Sequence, residues 1–171
     1  AQLAATRNAG AQIALMNPFG IRAPHSIVPA ADGSVTFGQI YAVQPFTNNL
    51  VTQTLTGAQL KEVLEQGLDD NQPKQRLSVS AGFAYSYDMT RPAGSRIVTM
   101  TLDGKPIDPA ADYRVTTNSF LANGGDSFAG LARQRDAVIA PMTDVEALEA
   151  WLSTGGMRAV PGETRSSEAK R

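Results

Sequence analysis

The stretch that most constrains the fold is residues 50–68, where a strand pattern passes directly into a helix pattern. Residues 50–55, LVTQTL, alternate between apolar and polar side chains, which is typical of a β-strand. The apolar side chains that follow recur instead at helical spacing and share one face: Leu60, Val63, Leu64 and Leu68. Thr56 stands between the two patterns with Gln59 three residues later, and this pair predicts a capping box at the start of a helix over 57–68.

The other patterned stretches mix helices with hairpins and do not alternate strictly between strand and helix. Strands are predicted at 13–16, 83–88, 96–102, 113–118 and 137–140. Further helices are predicted at 1–9, at 35–43 with Thr36 as N-cap, and from Thr143 to about 153 with Leu148 and Trp151 facing inward. This order favours an α+β fold in which a mixed β-sheet packs against helices.

The composition excludes several classes of function. Fifteen Lys and Arg balance sixteen Asp and Glu to a net charge of −1, so we expect no nucleic-acid partner and no membrane surface. No apolar run approaches the ~18–20 residues that span a bilayer. The chain has no cysteine and one histidine, His25, which we interpret as a solvent-facing loop residue. Thiolate sites are therefore excluded, and a dinuclear metal site would lack its usual ligands.

Residues 117–128, TNSFLANGGDSF, combine an aromatic ring, a glycine turn and a carboxylate. Gly124 and Gly125 can take positive φ and bend the chain sharply, which would bring Asp126 back toward Phe120. An ionised Asp accepts two hydrogen bonds and suits a ribose diol. Asp126 could equally cap a short helix that follows it.

A loop after the first predicted strand carries two further candidates. Asn17 and Arg22 lie together in MNPFGIR, residues 16–22. Asn can pair with the edge of a base, and Arg can fork onto phosphate or ribose oxygens. Taken alone, the stretch is also compatible with an ordinary polar loop.

Two more stretches admit either a structural or a binding role. Phe46, in VQPFTNN, either packs under its loop or presents its face to a ligand, and Asn48 beside it could be a turn residue. Gly82 precedes a predicted strand, where it could allow a flat group to approach or simply kink the backbone. Together, Phe46 and Phe120 could clamp a purine ring between them.

In this order the stretches N-x-x-G-I-R, V-Q-P-F-x-N, a glycine before a strand, and N-x-F-L-A-N-G-G-D resemble the C-terminal domain of the 5′-nucleotidase family. The family includes ecto-5′-nucleotidases and bacterial periplasmic UDP-sugar hydrolases. The resemblance covers about residues 1–155. It implies a substrate-binding domain over 1–160 with a disordered tail over 161–171. The opening residues, AQLAATR, are typical of a helix interior, so we expect the chain to have been cut from a longer one.

The resemblance also implies residue roles. Phe46 and Phe120 match two rings that sandwich the base, and Asp126 matches the carboxylate on the ribose hydroxyls. Arg22 matches an arginine near the ribose and phosphate, and Asn17 an asparagine beside the base. No residue of this chain matches a catalytic group or a metal ligand.

Two matches are weaker, and three positions depart from the family pattern. Asn48 and Gly82 match lesser contacts to the base. Phe19 and Thr47 stand where the family frequently has glycine, and so does Ser127. These departures put the shape of the pocket, and with it the substrate, in question.

As a whole, the resemblance implies the nucleotide-binding half of a periplasmic or secreted hydrolase that dephosphorylates nucleotides. An N-terminal metallophosphoesterase domain, absent from this chain, would hold two divalent metal ions, and the isolated chain should be inactive. Alternatives are a relative acting on a 2′,3′-cyclic nucleotide, a UDP-sugar or a sulfur compound, and a non-catalytic binding module. The last alternative expects Phe46 and Phe120 to be buried.

Overall fold

The computed structural model describes residues 1–22, 27–71, 75–154 and 162–169. The helices are α1 (Gln2–Ala5), α2 (Phe37–Val43), α3 (Gly57–Gln66), α4 (Ser119–Ala122) and α5 (Asp144–Ser153). The strands are β1 (Ile13–Met16), β2 (Asn49–Thr56), β3 (Ser78–Val79), β4 (Phe83–Tyr87), β5 (Ile97–Leu102), β6 (Lys105–Pro106), β7 (Asp112–Asn118), β8 (Val138–Thr143) and β9 (Ser166–Glu168). Short 3-10 turns lie at Arg7–Ala9, Pro18–Gly20, Gly125–Ser127 and Ala129–Arg133. His25 lies outside the described residues.

The strands form two mixed sheets. The larger has the order β3-β1-β7-β2-β8, and among its described strands β1 and β7 are the one pair of neighbours that is parallel. The smaller has the order β6-β5-β4-β9, with β9 parallel to β4. Helices alternate with strands over only part of the chain, since β3 to β7 follow one another without a helix, and most neighbouring strands are antiparallel. The predicted α+β class is confirmed.

Helix α3 carries the central face of the core, as its periodicity predicts. Leu60, Val63 and Leu64 are buried among side chains of β1, β2, β4 and β7, and so is Leu68, although α3 ends at Gln66 and not at the predicted residue 68. The predicted capping box is present, because Thr56 Oγ1 accepts the Gln59 N–H while the Gln59 side chain accepts the Thr56 N–H. The strand before α3, β2, is more buried than its alternating apolar and polar sequence predicts. Residues 50–55 are all buried, because β2 lies between β7 and β8 and its polar side chains find internal partners.

Two expectations for the C-terminal part are wrong. Trp151 is 37% exposed and Leu148 is only partly buried, because α5 turns Val145 and Ala147 inward instead. The tail expected to be disordered contributes β9, which pairs with β4 through its backbone. A polar sequence does not reveal such pairing, since the hydrogen bonds come from main-chain groups on an open strand edge.

The register of the larger sheet brings three chain segments to one edge. Because β1 and β7 are parallel, their last residues emerge side by side, followed by Asn17 and ending in Asn118. Strand β2 runs antiparallel to β7 and pairs Leu50 with Asn118, so the loop that enters β2 reaches the same edge. Within the described residues, no helix has the length and apolar character needed to cross a membrane.

Candidate ligand-binding site

The edge where β1 and β7 end and β2 begins carries a cavity of about 280 Å³. Its lining residues are Asn17, Phe19, Gly20, Arg22, Phe46, Asn48, Asn118, Phe120 and Asp126. Six of the seven substrate-binding positions expected from the sequence are thus brought together from three separate segments of the chain. The size is close to the lower end of the range of small-molecule pockets.

The two expected phenylalanines are not core residues. Phe46 is 44% exposed and Phe120 is 45% exposed, and both line the cavity. Phe120 lies on α4, whose first turn is capped by Asn118: its Oδ1 accepts the Leu121 N–H at 2.8 Å. The ring rests on the backbone of Gly125, where an added Cβ would lie 2.5 Å from Phe120 Cε1. An aromatic face is therefore left available to a ligand, against the expectation of a module with buried rings.

A chain of hydrogen bonds fixes the carboxylate of Asp126. Asn118 Nδ2 donates to Asn17 Oδ1 at 3.2 Å, and Asn17 Nδ2 donates to Asp126 Oδ2 at 2.7 Å. Asn17 and Asn118 are 3% and 1% exposed, so the chain is shielded from water until it reaches the cavity. The Asn17 amide nitrogen therefore binds Oδ2 of the Asp126 carboxylate. The other oxygen of this carboxylate, Oδ1, is a second hydrogen-bond acceptor.

The loops that deliver Asp126 and Phe46 contain residues in left-handed conformation. Gly124 (φ 84), Asp126 (φ 53) and Ser127 (φ 67) lie in the tight turn, and Thr47 (φ 49) lies between Phe46 and Asn48. Positive φ is uncommon for non-glycine residues and an outlier for a β-branched one such as threonine. Thr47 and Ser127 are two of the positions where the sequence departs from a common glycine, and both have the backbone conformation that glycine suits. Such strain is typical of ligand-binding segments.

Arg22 lies against Phe46. Its Cζ is 5.2 Å from the Phe46 ring centroid, and its Nε donates to the carbonyl oxygen of Phe19 at 2.8 Å. At an exposed position such a cation–π contact is worth about 0.5–1 kcal/mol. The guanidinium is thereby held at the rim of the cavity.

Asn48 connects the cavity to a buried carboxyl. Its Nδ2 donates to Asp144 Oδ2 and its Oδ1 accepts from Ser119 Oγ, both at 3.4 Å, while its carbonyl accepts the Asp144 N–H at 2.8 Å. Asp144 is 1% exposed, and this burial raises its pKa above the ordinary value. Sequence reasoning took Asn48 for a turn residue or a lesser base contact and treated Asp144 only as part of a helix start.

Gly82 is the one expected position that the structure does not bring to the cavity. It has φ 86 in the turn before β4, and its carbonyl accepts the Asp103 N–H at 2.7 Å. A Cβ there would lie 2.5 Å from Asp103 Oδ1, so the glycine permits a close approach within the smaller sheet. The structure supports the alternative of a strand-start kink.

Comparisons with known proteins agree with this fold. Residues 1–133 match the family described as 5′-nucleotidase, C-terminal domain. The chain is 35% identical over 127 residues to the trifunctional nucleotide phosphoesterase protein YfkN of Bacillus subtilis, which is 71% of this chain and 8% of YfkN. It is 35% identical over 129 residues to an apyrase of Tabanus yao, which is 68% of this chain and 22% of the apyrase. The chain therefore spans less than a quarter of the length of these curated relatives.

A solved structure extends the match to nearly the whole chain. The 5′-nucleotidase precursor from Thermus thermophilus superimposes with a TM-score of 0.86 at 37% identity, over 99% of this chain and 34% of that one. Fold and sequence thus point to one class, a domain that forms part of longer 5′-nucleotidase proteins. The chain belongs to the 5′-nucleotidase C-terminal domain family.

Proposed function

We propose that this chain binds the nucleoside part of the substrate in a 5′-nucleotidase-type hydrolase. The observation that carries the proposal is the cavity itself, in which two half-exposed rings stand with a carboxylate held in place by a buried amide. A solvent-exposed ring costs the folded chain apolar burial, so its position in a cavity points to a ligand that covers it.

Each group has a place in the proposed complex. The base stacks on Phe46 and Phe120, and stacking of a base on an aromatic side chain is worth about 1–3 kcal/mol. The ribose diol donates to Asp126. Arg22 lies at the rim, where a guanidinium suits ribose or phosphate oxygens. Asn48, with its amide tied to Asp144 and Ser119, contributes a fixed polar wall.

Hydrolysis would take place outside this chain. Among the described residues, no group of three or more His, Cys, Asp or Glu is placed to hold a metal ion. We propose that an N-terminal metallophosphoesterase domain of the same polypeptide binds two divalent metal ions and carries out the hydrolysis. This chain supplies positioning, which can account for a large part of a hydrolytic rate, and in isolation it should not turn over AMP. We further propose a periplasmic or secreted location.

The domain itself is proposed to include residues 1–160 and to extend into β9. Support comes from two elements beyond residue 133. Strand β8 is an edge strand of the larger sheet, and helix α5 packs on α1 and α2. The pairing of β9 with β4 joins the tail to the smaller sheet.

Calorimetric titration of the 171-residue chain with adenosine tests the proposal. Phe46→Ala and Phe120→Ala should each weaken binding by about 1–3 kcal/mol, and Asp126→Asn should weaken adenosine more than 2′,3′-dideoxyadenosine, which lacks the diol. A folded wild-type chain that binds no nucleoside would contradict the proposal. So would ring variants that bind as well as wild type.

The class of nucleotide is a separate question. A second candidate function is that of a relative that acts on 2′,3′-cyclic nucleotides, UDP-sugars or sulfur compounds. Phe19 and Thr47 support this candidate, because they replace glycines that are frequent in the family and so change the shape of the cavity. Competition of UDP-glucose and thiosulfate against bound adenosine would separate these cases. Displacement by a sulfur compound alone would favour the second candidate.

A further inference from the structure

A third aromatic ring lines the cavity beside the two expected ones. Phe19 is 52% exposed, which exceeds the exposure of Phe46 (44%) and Phe120 (45%). Its neighbours Asn17 and Gly20 are buried, so the short turn that carries them projects Phe19 outward.

The conformation of this turn follows from its sequence. Asn17 is extended (ψ 142), as expected for a residue before proline, and Pro18 opens a 3-10 turn in which the Gly20 N–H donates to the Asn17 carbonyl at 3.1 Å. A Cβ on Gly20 would lie 2.5 Å from Asn17 Oδ1 and 2.6 Å from Met16 Cε. The turn thus lies directly against the hydrogen-bond chain that holds Asp126, and it carries Phe19 into the lining of the same cavity.

Phe19 is also linked to the wall formed by Phe46. The Phe19 carbonyl accepts from Arg22 Nε at 2.8 Å, and the Arg22 guanidinium lies 5.2 Å from the Phe46 ring centroid. Arg22 thus links the backbone of Phe19 to the ring of Phe46, and both phenylalanines line the same cavity. Phe120 lies on α4, in a different segment of the chain, and its ring rests against Gly125.

We propose that Phe19 determines the preference of this cavity for a two-ring purine base over a one-ring pyrimidine base. The inference rests on the proposed function. A purine presents a larger flat face than a pyrimidine, so a purine stacked within the cavity has area left to contact a third ring. A pyrimidine in the same place covers less of Phe19 and gains less from it, because the gain follows the apolar area removed from water.

The test is titration of the 171-residue chain with adenosine and with cytidine. Phe19→Ala should weaken adenosine binding about fivefold or more and cytidine binding about twofold or less. Phe37→Ala is the matched control, because Phe37 is also 52% exposed but lies on α2, outside the cavity lining. The control should leave both affinities unchanged. Phe19→Leu keeps an apolar side chain without a ring. It should also lower the preference for adenosine over cytidine, as Phe19→Ala does.

Several results would overturn the inference. Equal weakening of adenosine and cytidine would make Phe19 a contact without selectivity, and unchanged binding in both Phe19 variants would remove it from the site. If Phe46→Ala weakens adenosine binding and Phe19→Ala does not, this inference fails while the proposed function stands. If the folded wild-type chain binds neither nucleoside, both fail together.

Discussion

Replacing Gly125 by alanine is expected to displace the Phe120 ring, and so to weaken ligand binding, without unfolding the domain. The added Cβ would lie 2.5, 2.6 and 2.7 Å from Cε1, Cζ and Cδ1 of Phe120. The ring must retreat by about 1 Å to regain ordinary carbon–carbon separation. It is free to do so, because Phe120 is 45% exposed on the cavity side.

The expected magnitudes separate affinity from stability. A displaced ring loses its stacking on the base, so adenosine affinity should fall by about 1–3 kcal/mol, or roughly 5- to 150-fold. Gly125 is not in the left-handed region, and therefore alanine adds no backbone strain there. Alanine at such a position stabilises by about 0.4–1 kcal/mol through the unfolded chain, which offsets the small area lost around the ring. The free energy of unfolding should thus change by less than about 1 kcal/mol.

Calorimetric titration with adenosine and urea unfolding, applied to the same samples, measure both quantities. Gly38→Ala is the control, since Gly38 is exposed on α2 and the nearest atom to an added Cβ is Thr36 Oγ1 at 3.9 Å. The double variant Phe120→Ala/Gly125→Ala should bind no more weakly than Phe120→Ala alone, because the glycine acts through the ring. Additive losses, or unchanged affinity in Gly125→Ala, would refute this reasoning.

Two further predictions concern buried polar groups. The Thr116 hydroxyl bonds those of Thr6 at 2.8 Å and Thr52 at 2.7 Å, so Thr116→Val should lower the free energy of unfolding by about 1–3 kcal/mol. The Thr117 hydroxyl is equally buried but has no hydrogen-bond partner among the described residues, so Thr117→Val should be neutral or stabilising. Urea unfolding measures both variants, and a larger loss of stability in Thr117→Val than in Thr116→Val would contradict this reasoning. Burial raises the pKa of Asp144, so its contribution to stability should be largest below the ordinary value of 3.8 and should fall as pH rises through the raised pKa. In urea unfolding at a series of pH values, the free energy of unfolding of wild type should therefore fall relative to that of Asp144→Asn as pH rises. A difference that stays constant with pH would contradict the raised pKa of Asp144.

The helix starts were predictable because their signals are local. Thr36, Thr56 and Thr143 are each followed three residues later by glutamine or glutamate, and each forms a complete capping box. Four consecutive residues determine such a cap, so the signal does not depend on distant parts of the chain.

The departures arise where partners are distant in sequence. Strand β2 reads as half exposed, yet Gln53 is fully buried because its Nε2 donates to the Leu131 carbonyl at 2.9 Å. Trp151 remains partly exposed because the inward face of α5 is chosen by the elements it packs against. Strand β9 forms through backbone pairing that its polar side chains do not encode.

The candidate site shows the same division. Residue type and turn chemistry left Phe46, Phe120 and Asp126 with either a structural or a binding role, and only the resemblance to the family implied the binding role. Asn118 belongs to the quoted N-x-F-L-A-N-G-G-D stretch and was still missed, because its two roles, capping α4 and bonding Asn17, depend on a strand pairing. Gly82 was expected in the site because it matched a lesser base contact of the family, but in the fold it lies against Asp103.

Asn17 shows how the strand register shapes the site. From residue type, its amide was expected beside the base, but its nitrogen donates to Asp126 and its oxygen accepts from Asn118. This arrangement requires Asn17 and Asn118 to emerge together, which follows from the parallel pairing of Ile13 with Val115 and of the next residue pair. The orientation of the carboxylate is therefore set by the register of β1 and β7, and the glycine turn alone could not fix it.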